Sequence, residues 1–284
     1  MPREKFTTKK LLPSLYNAVN TSTAAQSRMK KFAPLLSLFA MVLLWQGLVS
    51  LFALPRFILP SPASVVECFV TQRHELWQAF WLTGSAALLG FLLSLVLGFF
   101  ISIAFALSSW LEKGLFPYAV FFQTVPIIAI APLLILWIGH GFVGVVSVAL
   151  IISIFPIISG TTVGLTHCMP AHLELFKLHR ASTLQRLIKL QIPHAFPQML
   201  AGARISSGLC VIGAIVGEFS SGFGTEHFGL GYLILFTSGQ LKTDYLFACI
   251  LCSTILGYVA FTSTHLMGKA LLKKLHLDSS QAVL

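Results

Sequence analysis

Long apolar stretches, interrupted by isolated charges, set the pattern of this chain. A helix crossing a bilayer core needs about 20 mostly apolar residues, so the spacing between charged side chains is the informative measure. Between Lys31 and Arg56 lie 24 residues without Asp, Glu, Lys or Arg; between Glu75 and Glu112 lie 36, between Lys113 and Glu174 lie 60, and between Asp244 and Lys269 lie 24. The turn-forming Gly139-His140-Gly141 divides the longest gap into two stretches of span length. A further apolar stretch has Arg204 near one end and Glu218 near the other. The pattern predicts an all-α integral membrane protein with six transmembrane helices, near 33–53, 82–108, 115–138, 142–166, 198–219 and 244–266. These spans form one transmembrane domain over 32–275, between a flexible cytoplasmic tail at 1–31 and a short cytoplasmic tail at 276–284.

Composition agrees and adds an orientation. Only 10% of the 284 residues are charged, against roughly 25% in soluble domains, and mean hydropathy is +0.85. The net charge of +10 therefore needs a membrane reading before a nucleic-acid one. Lys and Arg collect in short loops on the cytoplasmic side. With both termini inside (N-in/C-in), 16 of the 19 cations face the cytoplasm, and only Arg56, Arg73 and Lys242 lie outside. The first 31 residues carry seven Lys/Arg and seven Ser/Thr, but the 24-residue apolar run after them exceeds the roughly 7–15 residues of a signal peptide's apolar region.

One connection is too long and too ordered in pattern to be a simple link. Residues 167–197, placed inside between spans four and five, read as a helix-turn-helix. Pro170 suits a first helical turn, with Ala171 to His179 following. Ser182 and Gln185 match a capping box that starts a second helix. Leu184, Leu187, Ile188 and Gln191 recur at helical spacing, with Arg186 and Lys189 on the other face, and Pro193 and Pro197 are expected to end that helix before span five. Such an element is either a solvated loop with snorkelling cations or a lever that a soluble partner can push.

Within the spans, Pro117, Pro126, Pro132 and Pro156 each remove a helical hydrogen bond and predict bent helices. In hydrocarbon the freed carbonyls need neighbours or a wet cavity, which points to a pathway along spans three to five with Pro126 and Pro132 beside it. Ser206, Ser207, Gly208 and Gly213 give span five a polar strip and room for close helix approach. Glu218 is an acid embedded in an apolar stretch, either a hydrogen-bonded interfacial residue or a gate or substrate contact. The nine histidines are scattered without paired i, i+4 spacing, so no metal site is expected, and Cys249-x-x-Cys252 reads as two small core residues. No G-x-x-x-x-G-K-[ST] occurs, no catalytic constellation is present, and no cofactor is expected on this chain.

The loop also resembles the cytoplasmic loop of permease subunits of bacterial binding-protein-dependent ABC importers. Glu174 matches the Glu of that pattern, Ala181-Ser182 its Ala-Ser, and Ile192-Pro193 its closing apolar-Pro pair. Arg180 stands where the pattern has Gly, and Leu175 and Phe176 where it has Ala. The similarity runs over about 55–275. It includes "ILPSPASVV" (58–66), "VPIIAIAPLLILWIGHG" (125–141), "HAFPQMLAGARISSG" (194–208) and "VGEFSSGFGTEHFGLGYLI" with "LKTDYLFACI", all similar to the nitrate/sulfonate/taurine branch. Gly217-Glu218 and Thr243-Asp244 are similar also to importers of thiamine-precursor pyrimidines. The resemblance implies a type I ABC importer permease fold in the cell inner membrane, with 167–197 as the loop coupling it to an ATPase. It implies a second permease copy as homodimer partner, a dimer of cytoplasmic ATP-binding subunits that hold the ATP, and a periplasmic or lipid-anchored solute-binding protein. An ion-gradient-driven secondary transporter is the alternative; it would show internal repeats and several intramembrane charges.

Overall fold

The computed structural model describes residues 33, 35–221 and 228–274. The expected tails at 1–31 and 276–284, and 222–227 within the "VGEFSSGFGTEHFGLGYLI" stretch, lie outside the described residues. The chain divides into two compact units, Met1–Ser64 and Val65–Leu284. In the first, α1 (Leu35–Leu51) leads into a turn tied down by the Trp45 indole N–H, which donates to the Pro60 carbonyl at 3.0 Å. Helix α2 (Pro62–Thr71) starts in this unit and runs into the second.

The described residues of the second unit are helices joined by short links. It contains α3 (Arg73–Leu107), α4 (Ser109–Phe122), α5 (Ile127–Ile138), α6 (Phe142–Thr166), α7 (Pro170–Leu178), α8 (Thr183–Arg186), a π-helical turn (Leu187–Gln191), α9 (Ile192–Ser221), α10 (Leu230–Gly239) and α11 (Thr243–Lys274). Four helices are long and apolar enough to cross a membrane: α3, α6, the continuous Thr183–Ser221 helix and α11. Helices α4 and α5 make a fifth if taken as one span broken by 103°. The stretch expected at 33–53 corresponds to α1, a shorter apolar helix.

Two boundaries differ from expectation for physical reasons. Helix α3 starts at Arg73 rather than near 82, because the charged Arg73, His74 and Glu75 stop a hydrocarbon span without stopping a helix. Its extra turns carry Trp77, Phe80 and Trp81 in mutual ring contact, an aromatic group suited to the membrane surface. Pro193 and Pro197 do not end the loop's second helix, which runs on without interruption into span five. A proline ring collides with the carbonyl four residues back. For Pro193 that carbonyl belongs to Lys189, inside the widened π turn, where the Ile192 N–H reaches back five residues to the Leu187 carbonyl. The wider turn relieves the clash.

Helices α6 and α9 form the most extensive pair in the unit, and small residues are the reason. A Cβ on Gly202 would lie 2.5 Å from the Pro156 carbonyl oxygen, and one on Gly160 would lie 2.7 Å from that of Gln198. No larger residue fits either place. Where lipid is as apolar as leucine, such close backbone approach supplies the packing that a hydrophobic drive cannot. Ser206 adds a cross-link, its hydroxyl donating to the Ser153 carbonyl at 2.6 Å. Gly208 was expected in this contact, but a Cβ there would meet nothing within 4 Å.

Candidate functional site

The loop over 167–197 is locked at both of its helix ends. Helix α7 closes with the Arg180 N–H donating to the Lys177 carbonyl (2.9 Å) and the Ala181 N–H to that of Phe176 (3.0 Å). This is the double bond pattern of a Schellman turn, and it requires Arg180 to adopt a left-handed backbone, φ +50°. Left-handed geometry is free for glycine and costs other residues about 1–2 kcal/mol. Arg180 therefore makes, at some strain, the turn for which the family pattern has Gly. Directly after it, the Ser182 N–H donates to Gln185 Oε1 (2.9 Å) and the Gln185 N–H to Ser182 Oγ (3.3 Å), completing the expected capping box.

The loop is also fixed to the membrane helices behind it. The buried Gln191 amide donates to the Leu165 carbonyl at the end of α6 (2.9 Å), and Leu187 packs with Leu165 and Ala195 against Ile192 and Ile103. Its front carries the exposed Leu175, Leu178, Leu184 and Ile188. Glu174, Arg180, Ser182 and Pro193 are exposed as well, while Ala181 and Ile192 are half-buried. Leu175, Phe176, His179, Ala181, Gln185 and Lys189 surround a shallow groove of about 370 Å³ between the two short helices. Cys168, just behind, is buried, and burial pushes its thiol up despite the opposing effect of Arg186.

The prolines of the third and fourth expected spans act unequally. Pro117 and Pro132 sit inside α4 and α5 without breaking them, and Pro156 lies inside α6. Only at Pro126, which caps α5 in an extended conformation, does the chain turn sharply. The link tightens through bonds from Gln123, Thr124 and Val125 to the carbonyls three residues back. A pocket of about 210 Å³ opens there. Its wall comes from Phe122 of α4, Gln123 and Val125 of the link, Ile127 and Ile130 of α5, Ile151, Ile152, Phe155 and Pro156 of α6, and Leu209 of α9.

Glu218 is not on the wall of this pocket. It is 6% exposed, accepts from the Thr83 hydroxyl at 2.8 and 3.0 Å through its two oxygens, and accepts the Gly231 N–H at 2.7 Å. Thr83 in turn accepts the Leu230 N–H at 2.8 Å. Two of the unpaired N–H groups at the start of α10 are thus satisfied by side chains of α3 and α9. The flanking glycines are a steric requirement, since a Cβ on Gly229 would run into the Glu218 carboxyl group and one on Gly231 into the Ile215 carbonyl oxygen and the Glu218 side chain. The geometry makes Glu218 a latch joining three helices.

None of the five expected pathway residues is on the wall of this pocket. Ser206 and Ser207 are buried, the first bonded to α6 and the second to the Arg204 carbonyl of its own helix at 2.8 Å. Pro126 sits at the break, Pro132 one turn and a half into α5. The residues that line the pocket, Phe122, Gln123 and Phe155 above all, were missed; the only signal was the closeness of Phe122 and Gln123 to Pro126 and of Phe155 to Pro156. Among the described residues, no group of three His, Cys, Asp or Glu side chains is placed to hold a metal, and all five cysteines are buried free thiols. His265 pairs instead with Arg204, whose Nη1 lies 3.1 Å from its Nδ1 and whose guanidinium sits over the Phe261 ring.

Comparison with known proteins gives this geometry its context. Residues 90–275 match the family described as "Binding-protein-dependent transport system inner membrane component". The chain is 33% identical over 224 residues to a probable ABC transporter permease protein of Haemophilus influenzae, covering 79% of this chain and 90% of that one. It is 33% identical over 239 residues to a riboflavin transport system permease of Chloroflexus aurantiacus (84% and 88% covered). It is 31% identical over 241 residues to a formylaminopyrimidine transport permease of Halalkalibacterium halodurans (84% and 94%). Other relatives are named as permeases for aliphatic sulfonates, nitrate and taurine.

Proposed function

The chain belongs to the family of binding-protein-dependent transport system inner membrane components, and from that premise we propose how it works. It is a multi-pass inner-membrane permease subunit of an ABC-type transporter for a small solute, acting in a complex with ATPase and binding-protein partners; such permeases are not enzymes. In the proposed arrangement the six spans run with both termini inside, and two copies form a homodimer around the pathway. A separate ATPase dimer docks under the 167–197 loops, and a periplasmic or lipid-anchored binding protein delivers the solute. ATP-driven closure of the ATPases pushes the loops and tilts the permeases from inward-open to outward-open. An ion-gradient-driven secondary transporter is not favoured by this family.

The observation that carries the coupling reading is the build of the loop. Two short helices are locked by the Arg180 turn and the Ser182 cap, and Gln191 fastens the second to the end of α6. A push on the loop therefore reaches α6 and α9 together. Leu178 is 80% exposed and Leu184 61% exposed, on a face where water would otherwise meet them. An apolar patch of this kind suits a protein partner. Glu174 stands on the same exposed helix and is the charged contact we assign to the ATPase. Replacing Glu174 by Arg is expected to abolish co-purification of the ATPase or to uncouple ATP hydrolysis from uptake. Unchanged co-purification and uptake would sink the docking role, and transport in vesicles free of any ATPase would overturn the whole reading.

A further inference from the structure

The relatives carry chemically unlike solutes, some of them oxyanions and some neutral heterocycles, and the pocket at the broken span distinguishes the two. We propose that the solute passing this pocket is a small, neutral, planar nitrogen heterocycle rather than a nitrate or sulfonate anion. The inference rests on the reading that the wall built by α4, α5, α6 and α9 faces the pathway.

Charge is the first ground. No Lys, Arg or His is among the residues lining the pocket, and its one polar side chain is the Gln123 amide. An oxyanion stripped of water needs a cation or several N–H donors in return, and an apolar wall returns neither. Shape is the second ground. The rings of Phe122 and Phe155, on α4 and α6, stack with each other, 6.1 Å apart and within 16° of parallel, and a further aromatic ring can extend such a stack. Gln123 beside them offers both a donor and an acceptor, which matches the mixed edge of an aminopyrimidine. Size is the third. A pocket of about 210 Å³ is below the roughly 300–1,000 Å³ of drug-sized sites, so it suits a solute of one or two rings.

The test uses the full complex, purified with its co-expressed ATPase and binding protein and reconstituted in lipid. Val125→Cys places one thiol on the pocket wall while leaving Gln123 and the two rings in place, and the five native cysteines are buried. Its rate of maleimide labelling is measured with formylaminopyrimidine, riboflavin, nitrate, taurine or an alkanesulfonate present. Formylaminopyrimidine is expected to slow labelling at least about tenfold more than any of the anions, and adding Phe155→Leu should weaken that protection roughly fivefold to tenfold, the worth of one aromatic contact. Equal protection by the anions, protection by anions alone, or no protection by either heterocycle overturns the solute class. The pathway reading is judged separately: labelling that goes to completion yet leaves binding-protein-stimulated ATP hydrolysis unchanged places the pocket off the pathway and removes the proposal's footing.

Discussion

Removing the Glu218 carboxyl group should loosen the start of α10 and cost stability that can be counted bond by bond. Glu218→Ala leaves the Gly231 N–H, now bonded at 2.7 Å, without an acceptor in a buried place, and deprives the Thr83 hydroxyl of its partner. A buried donor left unpaired costs about 1–3 kcal/mol. The Thr83 hydroxyl can turn back to a carbonyl of its own helix, so its loss is smaller, and the whole change comes to about 2–4 kcal/mol. Glu218→Gln is milder, within about 1 kcal/mol, because its amide oxygen still accepts from Gly231 and its NH₂ can donate to Thr83. Thr83→Val falls between the two, since it strands the Leu230 N–H that Thr83 now accepts at 2.8 Å. At roughly 2–4 °C per kcal/mol for a chain of this general size, Glu218→Ala lowers the unfolding midpoint in detergent by about 4–15 °C. Glu218→Ala with Thr83→Val should be coupled by about 0.6–1.7 kcal/mol, the range that hydrogen-bonded pairs show inside membranes. Hydrogen exchange at Leu230 to Gly239 reads the local effect. An Ala variant melting within a degree of the parent, or Ala and Val effects that simply add, would refute the latch.

Three further outcomes follow from positions already described. Arg180→Gly relieves a left-handed residue and should stabilise the loop by up to about 1 kcal/mol, partly offset by the greater freedom of glycine in the unfolded chain; the same or lower thermal stability of the loop, read by hydrogen exchange, counts against the strain. Ser182→Ala removes a cap bond and should raise exchange and proteolysis at Thr183–Arg186, at a cost of about 1 kcal/mol. Gly202→Ala forces a methyl against the Pro156 carbonyl and should spread α6 from α9, costing about 1–3 kcal/mol in the midpoint of detergent unfolding; a midpoint that does not move would mean the contact is looser than 2.5 Å implies.

Much of this protein is written in the spacing of its charges. Hydrocarbon excludes charge and demands paired backbone groups, so gaps of 24 to 60 uncharged residues leave little choice but helices. The Ser182–Gln185 cap and the α7 start at Pro170 were equally legible, because capping is a local matter of side chains reaching backbone three residues away. Prolines were not. Four similar residues predicted bends without saying that the one break of the helix, 103°, falls at Pro126, and Pro193 and Pro197 pass without interruption behind a π turn. Whether a proline kinks a helix depends on what the neighbouring turn and helices can absorb, which no single residue encodes.

The same division separates the two readings of Glu218. Its embedding in an apolar stretch was visible, but the choice between latch and solute contact required Thr83, 135 positions away, and the N-terminus of α10. Likewise the pocket draws Phe122, Gln123 and Phe155 together only because the span folds back by 103° at the break. Sequence by itself determined that the chain is helical and membrane-embedded and where its two-helix loop lies, since these follow from solvation and local hydrogen bonding. Tertiary structure alone decided which polar groups satisfy one another and which face open space, because those are set by contacts between segments far apart in the chain.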